Sequence, residues 1–168
     1  MVDSFKFLPR LIAAFYRNQQ PFVEGDLPWS PLGKPLSQCR VSLITTAGLY
    51  RKDFQPPFDT EREQAEPTWG DPSYRPIPTD SLPQHIGVSH LHLNPQPILE
   101  DLNVVLPLEL MRVFVDEGVI GSLAPQAFSL MGYQGFPPNP RAWLETSAPQ
   151  IAKELKRDEV DALILTPV

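Results

Sequence analysis

Two histidines separated by one leucine, His90 and His92, are the residues whose type and spacing most directly suggest chemistry. In an extended segment alternate side chains point to the same side, so both imidazoles are predicted to face the same way. His-x-His pairs are common in metal sites, and Asp101 or Asn103 could supply further ligands. The only other histidine, His85, is not at a convincing ligand spacing. We therefore predict no bound metal, and expect the pair to contact a substrate or to stabilise its loop.

Thr45, Thr46 and Gly48 follow a short apolar run and offer two hydroxyls beside an unhindered backbone. Such a group can hold a carboxylate or a similar anion through hydroxyl and N–H donors. An ordinary strand-to-loop turn with satisfied threonines fits the same residues equally well. The candidate substrate-binding residues are therefore Thr45, Thr46, Gly48, His90, His92 and Asn103.

Two weaker candidates have simpler explanations. Asp71, Ser73 and Arg75 lie in a segment typical of a turn, in which Asp71 can bond the backbone two residues on, with an active-site role as the alternative. Cys39 is the only cysteine and directly precedes an apolar run, so we predict an inert packing thiol. A single cysteine excludes an internal disulfide framework, a cysteine-based zinc site and a CxxC redox pair within these residues.

The composition indicates one ordinary globular domain with long loops. Of the 168 residues 42% are hydrophobic, and the 21 prolines must concentrate in loops and at element ends. A net charge of −6 argues against a nucleic-acid partner. Since no apolar run approaches the roughly 20 residues that cross a bilayer, and no signal-peptide pattern follows Met1, we expect a cytoplasmic protein without membrane contact.

Short apolar runs alternate with helical stripes along the chain. The predicted strands are residues 40–46, 103–106, 119–123 and 160–166, and the predicted helices are residues 5–17, 107–118 and 139–155. Strands that are hydrophobic on both faces indicate a parallel sheet covered by helices. The predicted class is α/β, with an open, mostly parallel sheet in a Rossmann-like three-layer arrangement.

The predicted organisation has two parts. Residues 1–38 form an N-terminal helix and a proline-rich connector, in which Trp29 and Leu32 are expected to pin the chain to the core; residues 39–168 form the α/β domain. Residues 50–102 are predicted to be a long, ordered, proline-rich loop excursion. In open α/β sheets chemistry gathers beyond the carboxyl ends of the strands, where residues 45–48 and 166–168 would lie.

Six blocks of the sequence resemble the selenoprotein B family of glycine, sarcosine, betaine and D-proline reductases. They are KPLSQCRVSLITTAGLY at 34–50, QPPFD at 55–59, GDPSYRPIP at 70–78, VSHLHLN at 88–94, DLNVVLPLELMRVFVDEGVIGSLAPQAFSLMG at 101–132 and APQIAKELKRDEVDALILTPV at 148–168. The likeness runs from roughly residue 30 to the end and rests on long ordered blocks rather than on one short motif.

The resemblance implies a component of a reductase that cleaves C–N bonds of amino acids or their N-substituted derivatives. In the family a selenocysteine or cysteine follows the strand that ends in Thr-Pro, and its selenolate or thiolate attacks a substrate carbon that a carbonyl-bearing partner subunit activates. Thiols then resolve the product. A selenol has a pKa below the roughly 8.5 of a thiol, so it is a nucleophilic anion at neutral pH. The implied partners are other reductase subunits, a thiol reductant and a small amino-acid-like substrate, in an oligomer.

The sequence departs from the family pattern at its end. It stops at Val168, so none of its residues can take the nucleophile's role, and it carries no cofactor of its own. We expect the domain to be incomplete, with codon 169 being TGA or a cysteine codon in a frame that stays open. The alternatives are a short non-catalytic binding or assembly subunit of the same fold and, less favoured, a small metalloprotein using His90 and His92.

Overall fold

The computed structural model describes residues 9–18 and 30–168. The chain divides into two compact units, Met1–Pro31 and Leu32–Val168. In the first unit, helix α1 spans Arg10–Arg17. Pro9 precedes the helix, and residues 5–8 of the predicted helix lie outside the described residues, as does Trp29. Leu32 is 52% exposed, so the prediction that it pins the connector is wrong.

The second unit is built on a mixed, mostly parallel sheet. Its central strand β1, Arg40–Thr45, pairs in parallel with β5, Ser122–Leu123, and β6, Gln126–Leu130, along one side. On the other side β1 pairs in parallel with β7, Ala162–Thr166, in a register from Val41↔Ala162 to Thr45↔Thr166. Strand β3, Tyr74–Pro78, lies antiparallel to β6. The predicted α/β class and the two predicted strands at residues 40–46 and 160–166 are confirmed.

Helices cover both faces of β1. Helix α4, Leu108–Asp116, packs on a cluster that contains Leu43, whereas α5, Ala148–Arg157, packs on one that contains Ile44. Adjacent strand residues point to opposite faces, so the two clusters lie on opposite sides of the sheet. A π-helical segment, Trp143–Ser147, leads directly into α5. As predicted, α4 begins next to a proline and is followed by Gly118, whose φ of 71° suits a glycine after a helix.

The predicted loop at residues 50–102 contains regular structure. It includes helix α2, Thr60–Ala65, strand β3, strand β4, Ile86–Val88, and helix α3, Gln96–Glu100; β4 pairs antiparallel with β2, Leu49–Arg51. The sequence did not predict β3, because two of its five residues, Pro76 and Pro78, have no backbone N–H to donate to a strand ladder. Proline is tolerated there because β3 lies at the sheet edge.

Two other predicted strands are corrected. Residues 103–106 do not form a strand; Leu102–Val104 is a 3-10 turn, because the Asp101 carboxylate accepts a hydrogen bond from the Asn103 N–H at 2.9 Å. The strand predicted at 119–123 is confined to Ser122–Leu123, because the N–H groups of Val119 and Ile120 bond back to the Phe114 carbonyl at the end of α4.

Strand β7 is an edge strand rather than a buried one. Within residues 30–168 it pairs with β1 alone, and Leu163 and Leu165 are 38% and 65% exposed. The apolar cluster on their face of the sheet extends to Ile44 and Leu155 and does not include them. No helix in the described part of the chain is long and apolar enough to cross a membrane.

Candidate functional site at the carboxyl edge of the sheet

The chain segments that follow β1, β6 and β7 meet at one edge of the sheet. The N–H of Gly132, after β6, donates to the Thr46 carbonyl at 2.9 Å. The N–H of Val168, after β7, donates to Thr46 Oγ1 at 2.8 Å. The parallel strands therefore deliver their carboxyl ends to the place where the sequence predicted chemistry.

The two threonines make internal contacts. Thr45 is fully buried, and its hydroxyl accepts a hydrogen bond from the Ala47 N–H at 3.3 Å. The Thr46 hydroxyl is engaged by Val168. This geometry is that of the strand-to-loop turn, and an anion would have to displace Val168 to reach the Thr46 hydroxyl.

Gly48 draws a second loop to the same edge. Its φ is 65°, and a Cβ added there would lie 2.4 Å from the Ser89 carbonyl oxygen. The Ser89 N–H donates to the Gly48 carbonyl at 2.9 Å. Only glycine combines this conformation with so close an approach, so Gly48 places the histidine-bearing loop after β4 beside the end of β1.

The histidines differ in burial and in bonding. The His90 ring is half-buried, and its Nδ1 accepts the His92 backbone N–H at 3.1 Å, which puts the proton of a neutral His90 ring on Nε2. That Nε2 is buried without a hydrogen-bond partner among the described residues. Burial, and then the proximity of His92, lower the pKa of His90. His90 is therefore a neutral ring, whereas the His92 side chain is 51% exposed.

Glu63, which was not among the residues predicted from the sequence, also lies in the site. Its Oε1 lies 3.0 Å from His92 Nε2, while its side chain is only 1% exposed. Neither carboxyl oxygen has a well-directed hydrogen bond in the described structure, so the contact with His92 is an electrostatic pairing at close range. Burial raises the pKa of Glu63; His92 opposes this, and Asp71 adds to it.

His92 is held from two sides. The Tyr133 ring packs against the His92 ring at a centroid distance of 4.2 Å and an interplanar angle of 32°. The Tyr133 hydroxyl donates to the Pro67 carbonyl, which anchors the ring. Glu63 is placed by α2, whose first turn is capped by the Asp59 carboxylate accepting the Arg62 N–H at 2.9 Å. Two separate chain segments, residues 59–67 and the segment of Tyr133, thus hold one imidazole at the edge of the sheet.

Asn103 stands in a different bonding group from the histidines. Its side chain bonds to Asp101 at 2.9 Å and Glu109 at 3.3 Å, and its amide oxygen accepts the Leu110 N–H at 3.4 Å. These contacts tie the 3-10 turn to α4. They give Asn103 a role at that junction and do not link it to His90 or His92.

The remaining candidates serve the architecture. The Asp71 carboxylate accepts the Ser73 N–H at 2.9 Å, as predicted for the turn. Arg75 donates to the carbonyls of Pro56 and Pro57, and its guanidinium lies 4.3 Å from the centre of the Phe58 ring. These residues hold the loop before α2 in place.

Cys39 lies away from the candidate site. Cys39 is buried, with its Sγ 3.4 Å from the Pro35 carbonyl oxygen, and it precedes the amino end of β1, the end opposite the histidines. The predicted packing role is confirmed. In residues 9–18 and 30–168 no group of three or more His, Cys, Asp or Glu side chains is arranged to hold a metal ion.

Comparison with known proteins identifies the family to which this α/β domain belongs. Residues 21–168 match the family of glycine/sarcosine/betaine reductase selenoprotein B. The chain belongs to that family. No solved structure matches the chain.

Two curated relatives are similar over most of the chain. The D-proline reductase subunit gamma of Acetoanaerobium sticklandii is 34% identical over 138 residues, which cover 82% of this chain and 52% of that protein. The glycine reductase complex component B subunit gamma of Symbiobacterium thermophilum is 31% identical over 152 residues, 90% of this chain and 34% of that protein. The chain thus spans about half and about a third of these two relatives.

Proposed function

We propose that this chain is a component of a selenol- or thiol-dependent reductase that cleaves the C–N bond of an amino acid or an N-substituted derivative. Membership of the selenoprotein B family supports a reductase component, since the two curated relatives of the chain are a D-proline reductase subunit and a glycine reductase complex subunit. The observation that carries the proposal is the assembly of His90 and His92 beside the end of β1, at the edge where β7 also ends.

The reaction needs two electrons and two protons. The C–N bond breaks while one C–H and one N–H bond form, and a selenol and a thiol, or two thiols, are oxidised to a selenide–sulfide or a disulfide. Cys39 does not suit this chemistry, because it is buried at the opposite end of β1. In the proposal the reactive selenol or thiol lies outside these 168 residues and acts at the carboxyl end of β7.

Within the proposal the carboxyl edge lines the substrate pocket. His90 and His92 face the substrate, and Thr46 lies beside the reactive group. Three further residues support the pocket without facing the substrate. Thr45 stabilises the turn after β1, Gly48 allows the close approach of the histidine loop, and Asn103 ties the 3-10 turn to α4. A carbonyl-bearing subunit that activates the substrate and a thiol reductant complete the system.

The direct test is reconstitution. The chain, extended past Val168 so that it carries the reactive selenol or thiol after β7, is combined with the partner subunits of a D-proline or glycine reductase that lacks its gamma subunit or component B. A dithiol is added, and reduction of D-proline, glycine, sarcosine and betaine is measured. Restored reduction of one of these substrates supports the proposal. No reduction of any of them, with the complex assembled, contradicts it.

A non-catalytic binding or assembly subunit of the same fold is the second candidate. The burial of Cys39, the only cysteine in the sequence, favours it, because every reactive thiol would then come from other subunits. The two candidates separate in the reconstituted complex. An assembly subunit keeps the complex together, and replacement of His90 and His92 leaves turnover unchanged.

A further inference from the structure

Glu63 is an unusual residue to find buried. Its side chain is 1% exposed, and neither carboxyl oxygen has a well-directed hydrogen bond among the described residues. Burying a carboxyl group without such bonds is unfavourable, and buried polar groups of this kind call for a functional explanation. The group it meets at close range is the His92 imidazole, 3.0 Å away.

We propose that Glu63 and His92 form a proton-transfer dyad, in which His92 exchanges protons with the substrate nitrogen and Glu63 is its buried positioning partner. The inference deepens the proposed function and rests on it for the identity of the substrate. The pairing of the two side chains is a physical claim that can be tested without it.

The geometry assigns a different task to each partner. Both Glu63 oxygens are shielded from solvent, so Glu63 can act only through a neighbour. The His92 side chain is half exposed, and its Nε2 faces Glu63. Its Nδ1 makes no hydrogen bond within the part of the chain that the structure describes, so this atom is free to meet a substrate. Tyr133 packs on the ring and keeps that orientation.

The charged and titratable groups around the pair favour a single shared proton. Burial raises the pKa of Glu63, His92 opposes this shift, and Asp71, from the segment before β3, adds to it, so the carboxyl group holds its proton more tightly than a free one. His90, on the same loop as His92, accepts the His92 N–H at Nδ1, as only a neutral ring can, and burial lowers its pKa. Tyr133 is engaged with Pro67. The proton that stabilises the pair therefore resides between Glu63 and His92.

The dyad fits the proton balance of the proposed reaction. When the C–N bond breaks, the electron pair stays on nitrogen, and His92 Nδ1 donates the proton that forms the N–H bond. Two electrons come from the selenol–thiol or dithiol couple, whose oxidation releases two protons. One of these forms the C–H bond and the other returns to the dyad, so the pair is unchanged after each turnover.

The decisive measurement is the carboxyl titration of Glu63, followed by carbon NMR in the wild-type chain and in H92Q. In the wild type we expect the pKa of Glu63 to lie above its ordinary value of 4.5. In H92Q it should rise further, with about a tenfold change in proton affinity, because His92, the neighbour that opposes the upward shift, is gone. H85Q, which alters a histidine outside the site, should leave the titration unchanged.

An unchanged titration of Glu63 in H92Q overturns the dyad. His92 is half exposed, so its replacement is tolerated by the fold, and H92N gives a second variant for the same measurement. In the reconstituted reductase, E63Q should lower kcat about tenfold and H92Q about a hundredfold, with KM nearly constant. Normal kcat in both variants also overturns the proposal. A complex that reduces no amino acid counts against the proposed function while the titration still judges the dyad.

Discussion

At the scale of single residues, the site depends on side chains whose importance is invisible in the sequence. Glu63 lies in Thr-Glu-Arg-Glu-Gln, a polar run typical of a solvent-exposed helix turn. Its burial arises because α2 is pressed against the histidine loop and the segment around Tyr133, which are distant in sequence. The closeness of the His90 and His92 rings could be predicted from their spacing, whereas the carboxyl group beside them required the tertiary structure.

Replacement of Glu63 by glutamine should change how stability depends on pH. The folded-state pKa of Glu63 is raised above 4.5, so the folded chain keeps a proton that the unfolded chain loses. This contribution is fully present below about pH 4.5 and is lost as the pH rises through the folded-state pKa. E63Q should therefore lose less stability than the wild type as the pH rises from about 4.5 through the folded-state pKa of Glu63, as measured by urea unfolding. Parallel pH profiles for the two proteins would contradict the assignment.

Gly48 permits a sharper test of backbone geometry. G48A introduces a Cβ only 2.4 Å from the Ser89 carbonyl in a residue with φ of 65°. We expect a loss of about 1–3 kcal/mol in the free energy of unfolding. G118A, at a φ of 71° with open space around it, measures the cost of the positive φ alone. G33A has neither a positive φ nor a close neighbour and serves as a second control. A loss in G48A no greater than in G118A would show that the close loop approach does not hold.

At the scale of elements, the sequence predicted the helices and strands in which apolar residues recur on one buried face. β1 and α4 were predictable because their apolar residues follow the periods of a strand and a helix. β3 was not predicted because a strand at a sheet edge can include prolines, and a proline-rich segment is typical of a loop. The run at 103–106 looked like a strand, but Asp101 commits it to a turn through a side-chain bond that apolar patterning does not reveal.

A side-chain hydrogen bond attaches β3 to α5. The Tyr74 hydroxyl donates to Glu154 Oε1 at 2.6 Å, and burial, followed by Glu154, raises the pKa of Tyr74 to about 12. Y74F should lose about 1 kcal/mol of unfolding free energy. Y50F is the matched control, because the Tyr50 hydroxyl makes no hydrogen bond within the described residues. Equal effects of the two substitutions would contradict the importance of this contact.

At the scale of the whole molecule, no strand among residues 9–18 and 30–168 covers the outer side of β7. β7 has a strand partner within residues 30–168 only on its β1 side, and Leu163 and Leu165 expose apolar surface there. Exposed apolar edge strands favour association with other chains. The predicted oligomer therefore has a physical basis in β7, although the sequence pattern pointed to a buried strand.

The isolated 168-residue chain should self-associate through this strand. L165K places a charge on the exposed face of β7 and should shift the population toward monomer in sedimentation experiments. L32K, at a leucine that is 52% exposed elsewhere, is the control and should leave association unchanged. A wild-type chain that remains monomeric, or an equal effect of both variants, would contradict the role of β7.

The carboxyl edge that carries His90 and His92 is the proposed working site of an amino acid reductase component. The most direct measurement is the turnover of the reconstituted complex with the H90Q/H92Q double variant, compared with H85Q and with folding checked by circular dichroism. We predict that the double variant folds, assembles and loses at least about a hundredfold in kcat, while H85Q retains the wild-type rate. A folded double variant that turns over like the wild type would contradict the claim.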